Sequence, residues 1–431
     1  MPATTQLTPQ QQTIRELSDQ LVEAQQPLRI LDAVNWDDAV KADFFASGES
    51  RLPRVDADYY AQRDLGFDPE AKRQELLDLE LRIRRKLGEY SPAGAIMRRM
   101  CREYGEVVQM LAARGTPTFS LLSRELYGSP LDAFHAGEPT LADFGQMMAE
   151  TLGEIDRSGL LQPEPRTIRG ADAVSMLQTR LAESMPDVHE SVTVMPSDGI
   201  VSDAAAGSDY IKLRTDALFN ERDIRLLEVH EGWVHLGTTL NGKAQPVCTF
   251  LSKGPPSATV TQEGLAVFVE NVSLATYPER LRRVANRILA VGMAEDGADF
   301  IEVYRFFRNQ GISQDEAYTF ASRVFRGSTP GGGPFTKDVS YSKGFVLVYN
   351  YLQLAIRKGK LDRVPLLFCG KTTLGDLHVL SNLVDEGLVQ PPAYLPPVFS
   401  NLHGLAAWMC YSGFLRKLRL ESIEADYSSI L

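Results

Sequence analysis

The sequence is poor in histidine and cysteine, has no excess of basic residues and contains no long apolar run. Its four cysteines lie far apart without a CxxC pair, which indicates buried thiols in a reducing compartment rather than a disulfide framework. Lys and Arg number 45 against 56 Asp and Glu, a net charge of −11 that argues against a nucleic-acid partner. No stretch approaches the roughly 20 apolar residues of a membrane-spanning helix, and the N-terminus shows no apolar signal core. We therefore expect a cytoplasmic protein that binds neither nucleic acid nor membrane.

The chain is long enough for more than one structural unit. Its 431 residues are 44% hydrophobic and 23% charged, an ordinary globular composition. Amphipathic helical patterns dominate the first 160 residues, and LQPEPRT (161–167) is typical of a hinge because it has two prolines and no periodicity. We therefore predict a helical region over 1–160 and a catalytic region over 161–431.

The pattern changes after the hinge, where short segments are separated by turn residues. Segments 189–195, 199–206 and 209–214 have the length and flanking turns of short β-strands. Helical patterns return after residue 217 and continue to the C-terminal region. The sequence thus predicts an α+β fold that is mostly helical, with a small β-sheet. Since an exposed strand edge can pair with an extended peptide, we expect 201–206 and 209–214 to lie beside a substrate.

The segment EVHEGWVHLG concentrates metal-binding chemistry, because it holds two of the six histidines, His230 and His235, and Glu231 between them. Neutral imidazole and carboxylate groups are good ligands for divalent zinc. On a regular α-helix, residues five apart are rotated by about 140° relative to one another, too far to bind one ion. A π-type turn, which advances in i→i+5 steps, would bring both rings to one side. We therefore predict a widened turn at 231–235, which Gly232 would ease.

A third ligand is needed for a zinc site that keeps one position open for water. The segment TVTQEGLAVFVEN provides Glu263, which we expect at the start of an apolar and largely buried helix. Glu270 lies two helical turns further on the same face and is expected to support the ligands from behind. Cobalt or manganese could occupy the same ligand set, so these residues alone do not fix the metal.

Four motifs in order resemble the QEGLA-motif family of flavohemoglobin-expression-modulating QEGLA proteins, which is related to the microtubule-associated tyrosine carboxypeptidase of animals. The motifs are HEGWVHLGTTLNGKAQP, TQEGLAVFVE, RVFRG and FTKDVSYSKG. They span roughly residues 209–352, whereas the first 60 residues carry no matching motif. The resemblance implies a zincin-like metallopeptidase core, with Zn²⁺ bound by His230, His235 and Glu263 and with Glu231 as the catalytic carboxylate.

The activity that follows is a zinc-dependent carboxypeptidase that hydrolyses a C-terminal peptide bond through a zinc-bound water activated by Glu231. Tyr341 is the candidate donor to the oxyanion of the intermediate. An exopeptidase must also hold the free carboxylate at the C-terminus of its peptide or protein substrate, and basic side chains suit this task. The candidate carboxylate-binding residues flank the glycine-rich loop GSTPGGGP and are Arg323, Arg326 and Lys337.

Two other functions are compatible with the same residues. The first is a non-catalytic regulatory or interaction protein that keeps a structural metal site, and the second is a metal-dependent amidase or deacylase with a small substrate. Glu231 favours the peptidase over the regulatory protein, because a structural zinc site has no use for a carboxylate beside its ligand. The sequence gives no prediction for the physiological substrate or the oligomeric state.

Overall fold

The computed structural model describes residues 6–185, 192–200, 202–418 and 427. Over these residues the protein is mostly helical, with five short strands in two small sheets, so the predicted α+β class is confirmed at that level. None of the helices in these ranges combines the length and apolarity that crossing a bilayer requires.

The chain before residue 161 forms helices whose starts are encoded locally. Helices α1, α5 and α6 each begin with proline, directly after Thr8, Asp68 and Ser91, whose side chains accept a hydrogen bond from the backbone N–H three residues on. The helices of this part are α1 (Pro9–Gln25), α2 (Ile30–Val34), α3 (Asp38–Ala46), α4 (Ala57–Ala61), α5 (Pro69–Leu87), α6 (Pro92–Ala112), α7 (Pro117–Tyr127) and α8 (Leu141–Ser158).

The strands lie between residue 167 and His230. The larger sheet has the order β2 (Thr193–Ser197), β4 (Tyr210–Arg214), β3 (Ala204–Ala206), with β2 parallel and β3 antiparallel to β4. Strand β3 is therefore an edge strand. The smaller sheet pairs β1 (Ile168–Arg169) with β5 (Leu218–Phe219). The predicted segments 199–206 and 209–214 contain β3 and β4; residues 189–191 and 201 lie outside the described residues.

The rest of the chain is helical and contains the rod that bears both histidines. This rod runs without interruption through α10 (Glu221–Leu227), a π-helix (Glu228–Leu236) and α11 (Gly237–Lys243). The other helices are α9 (Gly170–Ser184), α12 (Pro256–Val272), α13 (Pro278–Glu295), α14 (Phe300–Asn309), α15 (Gln314–Phe325), α16 (Ser340–Arg357), α17 (Leu377–Asp385), α18 (Pro397–Ser400) and α19 (Leu402–Leu415).

Helices α12 and α16 cross with their backbones in contact. A Cβ atom on Gly264 would lie 1.9 Å from the backbone carbon of Gly344, and one on Gly344 would lie 1.9 Å from the carbonyl oxygen of Val260. Since no real Cβ atom approaches backbone this closely, glycine is required on both helices. This crossing places Glu263, next to Gly264, close to the first turn of α16.

The largest hydrophobic core contains residues from both sides of segment 161–167. Leu21 of α1, Ile83 of α5 and Met97 of α6 belong to the same buried cluster as Val234 of the π-helix and Phe268 of α12. Because the helical region 1–160 shares this core with the ligand-bearing helices, it packs directly against them. The division of the chain into 1–160 and 161–431 stays a prediction.

Candidate metal centre

The two predicted histidine ligands lie on the π-helical part of the rod. In a π-helix the hydrogen bonds run between residues five apart, so side chains with that spacing lie on nearly the same side. His230 and His235 consequently face one another, with their Nε2 atoms 3.1 Å apart. The widened turn predicted at 231–235 is confirmed, and it extends over Glu228–Leu236.

Gly232 allows another helix to pack closely against this rod. A Cβ atom at Gly232 would lie 2.6 Å from Cδ2 of Leu181 on α9. A larger residue would require the buried side chain of Leu181 to shift, so this position has a packing requirement of its own. The further prediction that Gly232 eases the widened turn stays a prediction.

Glu263 completes the cluster from α12. The prediction that it opens the helix is wrong: it lies in the middle of Pro256–Val272, because Pro256 at the first helical position starts the helix about two turns earlier. The side chain is buried and faces the histidines, with Oε2 3.5 Å from Nε2 of His230 and 3.5 Å from Nε2 of His235. Among the described residues, this buried oxygen has no hydrogen-bond partner of good geometry.

These three side chains, which we call the ligand triangle, have the donors and spacing of a metal site. Their ligand atoms are separated by 3.1, 3.5 and 3.5 Å. Two imidazole nitrogens and a carboxylate oxygen bound tetrahedrally at about 2.0–2.1 Å from Zn²⁺ would lie about 3.3 Å from one another. Within the described part of the chain, no other group of His, Cys, Asp and Glu residues brings three such atoms together. The ligand triangle therefore fits a divalent metal ion such as zinc.

Glu270 holds His230 from behind, as its position two turns after Glu263 predicts. Its Oε1 lies 2.5 Å from Nδ1 of His230, which leaves Nε2 of the ring to face the cluster. Arg280 in turn binds both oxygens of Glu270, at 2.8 and 3.1 Å. Although burial favours the neutral acid, the charges of Arg280 and His230 lower the pKa of Glu270 to about 2. The chain Arg280–Glu270–His230 thus fixes both the orientation of the ring and the nitrogen that it presents.

The two histidines differ in their affinity for a proton. Burial disfavours the charged ring of His230, but the nearby carboxylates of Glu263 and Glu270 outweigh it and raise its pKa to about 10. Burial lowers the pKa of His235, and the neighbouring charge of His230 lowers it further. Without a metal, the pair therefore holds one proton at neutral pH, on His230.

Lys337, predicted to bind substrate, lies against the ligand triangle. Its Nζ is 3.4 Å from Oε1 of Glu263, the oxygen that points away from the histidines. Burial would raise the pKa of Glu263, but the charge of Lys337 and the two imidazoles hold it well below its usual range. Lys337 therefore keeps Glu263 ionised and available as a ligand.

Glu231 connects the π-helix to the edge strand β3. Its Oε2 accepts a hydrogen bond of 2.9 Å from the backbone N–H of Ala206. The N–H of Ala206 points away from β4, because the neighbouring Gly207 donates its own N–H to Tyr210 in the antiparallel ladder. The carboxylate of Glu231 is mostly buried and lies at the cleft beside the ligand triangle.

Tyr341 lies in the first turn of α16 and stacks on the ligand triangle. Its ring is nearly parallel to that of His230, with 6.2 Å between the two ring centroids. The guanidinium of Arg287, on α13, lies 4.1 Å from the centroid of the Tyr341 ring. The crossing at Gly264 and Gly344 brings this turn of α16 towards Glu263. The phenol is thus held between an imidazole and a guanidinium at the cleft.

Three arginines, which we call the arginine wall, line the cleft beyond Tyr341: Arg287, Arg323 and Arg326. Asp338 binds Arg323 through two hydrogen bonds of 2.8 Å, so that guanidinium already has a carboxylate partner. Arg326 is 95% buried (5% exposed) and donates to the amide oxygen of Asn35 at 3.2 Å, while its Nε has no hydrogen bond among the described residues. Burial, and then repulsion from Arg323, lower the pKa of Arg326 to about 10.

Arg287 was missed by the sequence analysis. Its buried Nη1 has no hydrogen-bond partner within the described residues, and burial and Arg323 lower its pKa. A signal for it exists in the sequence: Arg280, Arg283 and Arg287 are spaced three and seven residues apart, which places them on one face of α13. All three line the same cleft.

The cleft has a volume of about 500 Å³ and unites every predicted site residue. Its wall is formed by β3 on one side and by helices α13, α15 and α16 on the other. The predicted residues that line it are His230, Glu231, His235, Glu263, Arg323, Arg326, Lys337 and Tyr341. Motifs more than 100 residues apart in the chain therefore build one site.

Comparison with known families agrees with this geometry. The family model for the microtubule-associated tyrosine carboxypeptidase matches residues 42–417, which is most of the chain and includes the whole cleft except Leu31, Asp32, Asn35 and Lys41. Comparison with individually curated proteins gives no match. A family match of this extent suggests a carboxypeptidase-like activity and confirms the resemblance seen in the four motifs. The chain belongs to the microtubule-associated tyrosine carboxypeptidase family.

Proposed function

We propose that this protein is a metal-dependent carboxypeptidase, with Zn²⁺ bound by the ligand triangle, that removes the C-terminal residue of a peptide or protein. The observation that carries the proposal is the convergence of His230, His235 and Glu263 on one point beside Glu231. Membership of the carboxypeptidase family supports the type of reaction. The tyrosine in the name of the family describes that relative, and we do not extend it to the substrate of this chain.

The residues around the triangle have the roles that peptide hydrolysis requires. A divalent cation would polarise the scissile carbonyl and make the attacking water acidic enough to ionise near neutral pH. Glu231 takes the proton of this water and passes it to the leaving amine, and the Ala206 N–H fixes its carboxylate for this transfer. The hydroxyl of Tyr341 donates a hydrogen bond to the developing oxyanion.

The arginine wall holds the C-terminal carboxylate of the substrate. We assign this contact to Arg326 and Arg287, because each has a buried nitrogen with no hydrogen bond among the described residues. A guanidinium offers two parallel donors to a carboxylate, which gives both affinity and orientation. Arg323 and Lys337 contribute positive charge, but Asp338 and Glu263 already bind them.

The edge strand β3 is the proposed guide for the substrate backbone. In the antiparallel ladder with β4, the main-chain groups of Ala204 and Ala206 alternate to the outer side. The N–H of Ala206 binds Glu231 and the carbonyl of Ala204 accepts from Ser202, so the Ala204 N–H and the Ala206 carbonyl are directed outwards. Their methyl side chains let another extended chain approach closely, as in other peptide-binding sheets.

We further propose that the rod, α12 and the β2–β4–β3 sheet form a zincin-like core within 161–431. The helical region 1–160 shares a hydrophobic core with these helices and contributes Asn35 to the cleft. The regulatory and amidase alternatives are separated from the carboxypeptidase by the two experiments below.

The first experiment replaces the proposed base. Glu231→Gln keeps the size of the side chain but removes its basicity, so we expect unchanged zinc content and a loss of peptide hydrolysis of about 10²–10⁴-fold. The matched control is Glu228→Gln, on the same π-helix, where the carboxylate binds Arg225 outside the cleft; it should stay active. Full activity of Glu231→Gln would contradict the assignment of Glu231 as the base. If the protein without substitutions cleaves no peptide, the regulatory alternative is favoured.

The second experiment compares peptides with a free and an amidated C-terminus. Because the arginine wall is proposed to bind the terminal carboxylate, amidation should abolish cleavage, as measured by mass spectrometry of a C-terminal peptide library. Equal cleavage of both forms would exclude the carboxypeptidase and leave an endopeptidase or amidase.

A further inference from the structure

Lys371 is a largely buried cation, outside the residues that line the cleft, that joins the two helices of the ligand triangle. Its Nζ lies 2.8 Å from the carbonyl oxygen of His235, 3.0 Å from Oγ1 of Thr238 and 3.2 Å from Oε1 of Gln262. The first two acceptors belong to the rod, and Gln262 belongs to α12, directly before Glu263. One ammonium group thus binds both elements that present metal ligands.

The backbone around Lys371 is itself fixed. Its N–H donates to the carbonyl oxygen of Leu251 at 2.7 Å, in the short 3₁₀ helix Thr249–Ser252. A Cβ atom at the preceding Gly370 would lie 2.4 Å from that same oxygen, so the loop packs against the 3₁₀ helix without a gap. Lys371 therefore reaches the two helices from an anchored position rather than from a loose surface loop.

The acceptors of Lys371 are also linked to one another. Thr238 Oγ1 lies 2.7 Å from Gln262 Oε1 and 2.6 Å from the carbonyl oxygen of Val234, and its one hydrogen can be donated to either. The carbonyl oxygen of His235 receives a second donor, Thr239 Oγ1, at 2.7 Å. Hydrogen bonds from a charged donor are roughly twice as strong as neutral ones, and an ammonium has three hydrogens for three acceptors. The network is therefore centred on the ammonium group of Lys371. Without that group, the contact between Thr238 and Gln262 is the side-chain link that remains between the rod and α12 in this network.

We propose that Lys371 is a positioning residue that sets the separation of the rod and α12 and so preorganises the ligand triangle before a metal binds. The inference rests on the proposed metal site, because its consequence is tighter metal binding. A site whose ligands are already in place loses less conformational freedom on binding, and the loss of such an outer contact typically weakens metal affinity by about 10–100-fold. Lys371 has no part in the chemical step.

The test measures Zn²⁺ and Co²⁺ affinity by competition with a chromophoric chelator. We expect Lys371→Met to weaken both by about 10–100-fold and to change the visible absorption of bound Co²⁺, which reports ligand geometry. The matched control is Lys253→Met, a half-buried lysine in the same part of the molecule that, among the described residues, donates no hydrogen bond to the rod or α12; its affinity should be unchanged. Unchanged affinity in Lys371→Met would overturn the proposal.

A double variant separates positioning from general loss of stability. Gln262→Met removes the acceptor on α12, so Lys371→Met combined with Gln262→Met should weaken metal binding no more than about twofold beyond the stronger single variant. Losses that multiply would indicate two independent structural effects and would contradict the link.

Hydrogen–deuterium exchange of the metal-free proteins tests Lys371 without a metal. Lys371→Met should speed exchange in residues 234–243 and 258–268 and leave α14 and α15 unchanged. Uniformly faster exchange, or none, would overturn the proposal. If the unchanged protein binds no metal while this local effect is present, the proposed metal function fails and the structural link stands.

Discussion

The two groups of buried charges at the cleft differ in how far positive and negative charges are paired within them. Around the ligand triangle, two buried carboxylates each have a partner of opposite sign: Glu270 binds Arg280, and Glu263 binds Lys337. In the arginine wall, Arg323 is hydrogen-bonded to Asp338. Among the described residues, no carboxylate is hydrogen-bonded to Arg287 or Arg326. The wall therefore has two more positive charges than negative ones in its hydrogen-bonded pairs.

This difference distinguishes the metal site from the proposed binding site for the substrate carboxylate. The carboxylates near the ligand triangle are already paired within the protein. Removing one member of such a pair leaves the charge of the other buried and uncompensated. An unbalanced wall is unfavourable in the free protein, as the lowered pKa values of Arg287 and Arg326 indicate, and it becomes favourable when an anion enters. Substitutions in the two groups should therefore have opposite effects on stability.

The largest effect is expected from the ligand triangle. His235→Ala removes one of three ligands and should lower zinc affinity by more than about 10³-fold and abolish hydrolysis. Zinc content after dialysis and peptide cleavage measure the two effects. His403→Ala, at the exposed start of α19, is the control and should keep both. Stoichiometric zinc in His235→Ala would remove this residue from the ligand set.

Next is Arg326→Met, which removes an unbalanced charge from the wall. Hydrogen bonds to a charged group contribute about 1.5–3 kcal/mol, so we expect KM for peptides with a free C-terminus to rise about 10–100-fold. The melting temperature should stay equal or rise, because a buried and partly unpaired guanidinium is lost. The control is Arg282→Met, which replaces a half-buried arginine on α13 that is bound to Asp156. A lower melting temperature with unchanged KM would show that Arg326 is structural.

Glu270→Gln is expected to act indirectly on the metal. The amide still contacts His230 but no longer balances Arg280, so zinc affinity should fall about tenfold and stability should also fall. Affinity by chelator competition and thermal unfolding of the metal-free protein measure these changes. An increase in stability would contradict the view that this group is balanced.

The smallest effect concerns protons. Because the pKa of His230 is raised to about 10, its ring is protonated at pH 7 in the metal-free protein and must lose that proton when a metal binds. Binding at neutral pH should release about one proton, and apparent affinity should fall as the pH is lowered. Calorimetry in buffers of different ionisation enthalpy measures the release. In Glu270→Gln the release should be smaller; no release in the unchanged protein would contradict the raised pKa.

Local geometry made the π-helix predictable. The spacing of His230 and His235 excludes a shared ion on a regular α-helix, so the sequence itself demanded an i→i+5 turn if both bind a metal. Glu270 was predictable for the same reason, since two turns of α12 separate it from Glu263. The start of α12 was misplaced because Pro256, not the first apolar run, begins the helix.

Contacts between distant segments were not predictable from one sequence. Lys337 and Arg323 are both basic residues beside the glycine-rich loop, and no local pattern shows that Glu263 and Asp338 already bind them. Lys371 comes from a loop more than 100 residues after the rod and carries no periodic signal. Arg287 was detectable from its helical face, but its missing partner is visible only in the folded protein.

The contact of α12 and α16 at Gly264 and Gly344 has a consequence for variation in this protein. Since main chain touches main chain there, the offset between Glu263 and Tyr341 is insulated from the sizes of the surrounding core side chains. Substitutions among the apolar neighbours can alter how firmly the bundle holds together while the metal donor and the phenol keep their mutual alignment. The two glycines thus fix the distance between the two helices at the site, and the apolar residues around them can vary in size without changing it.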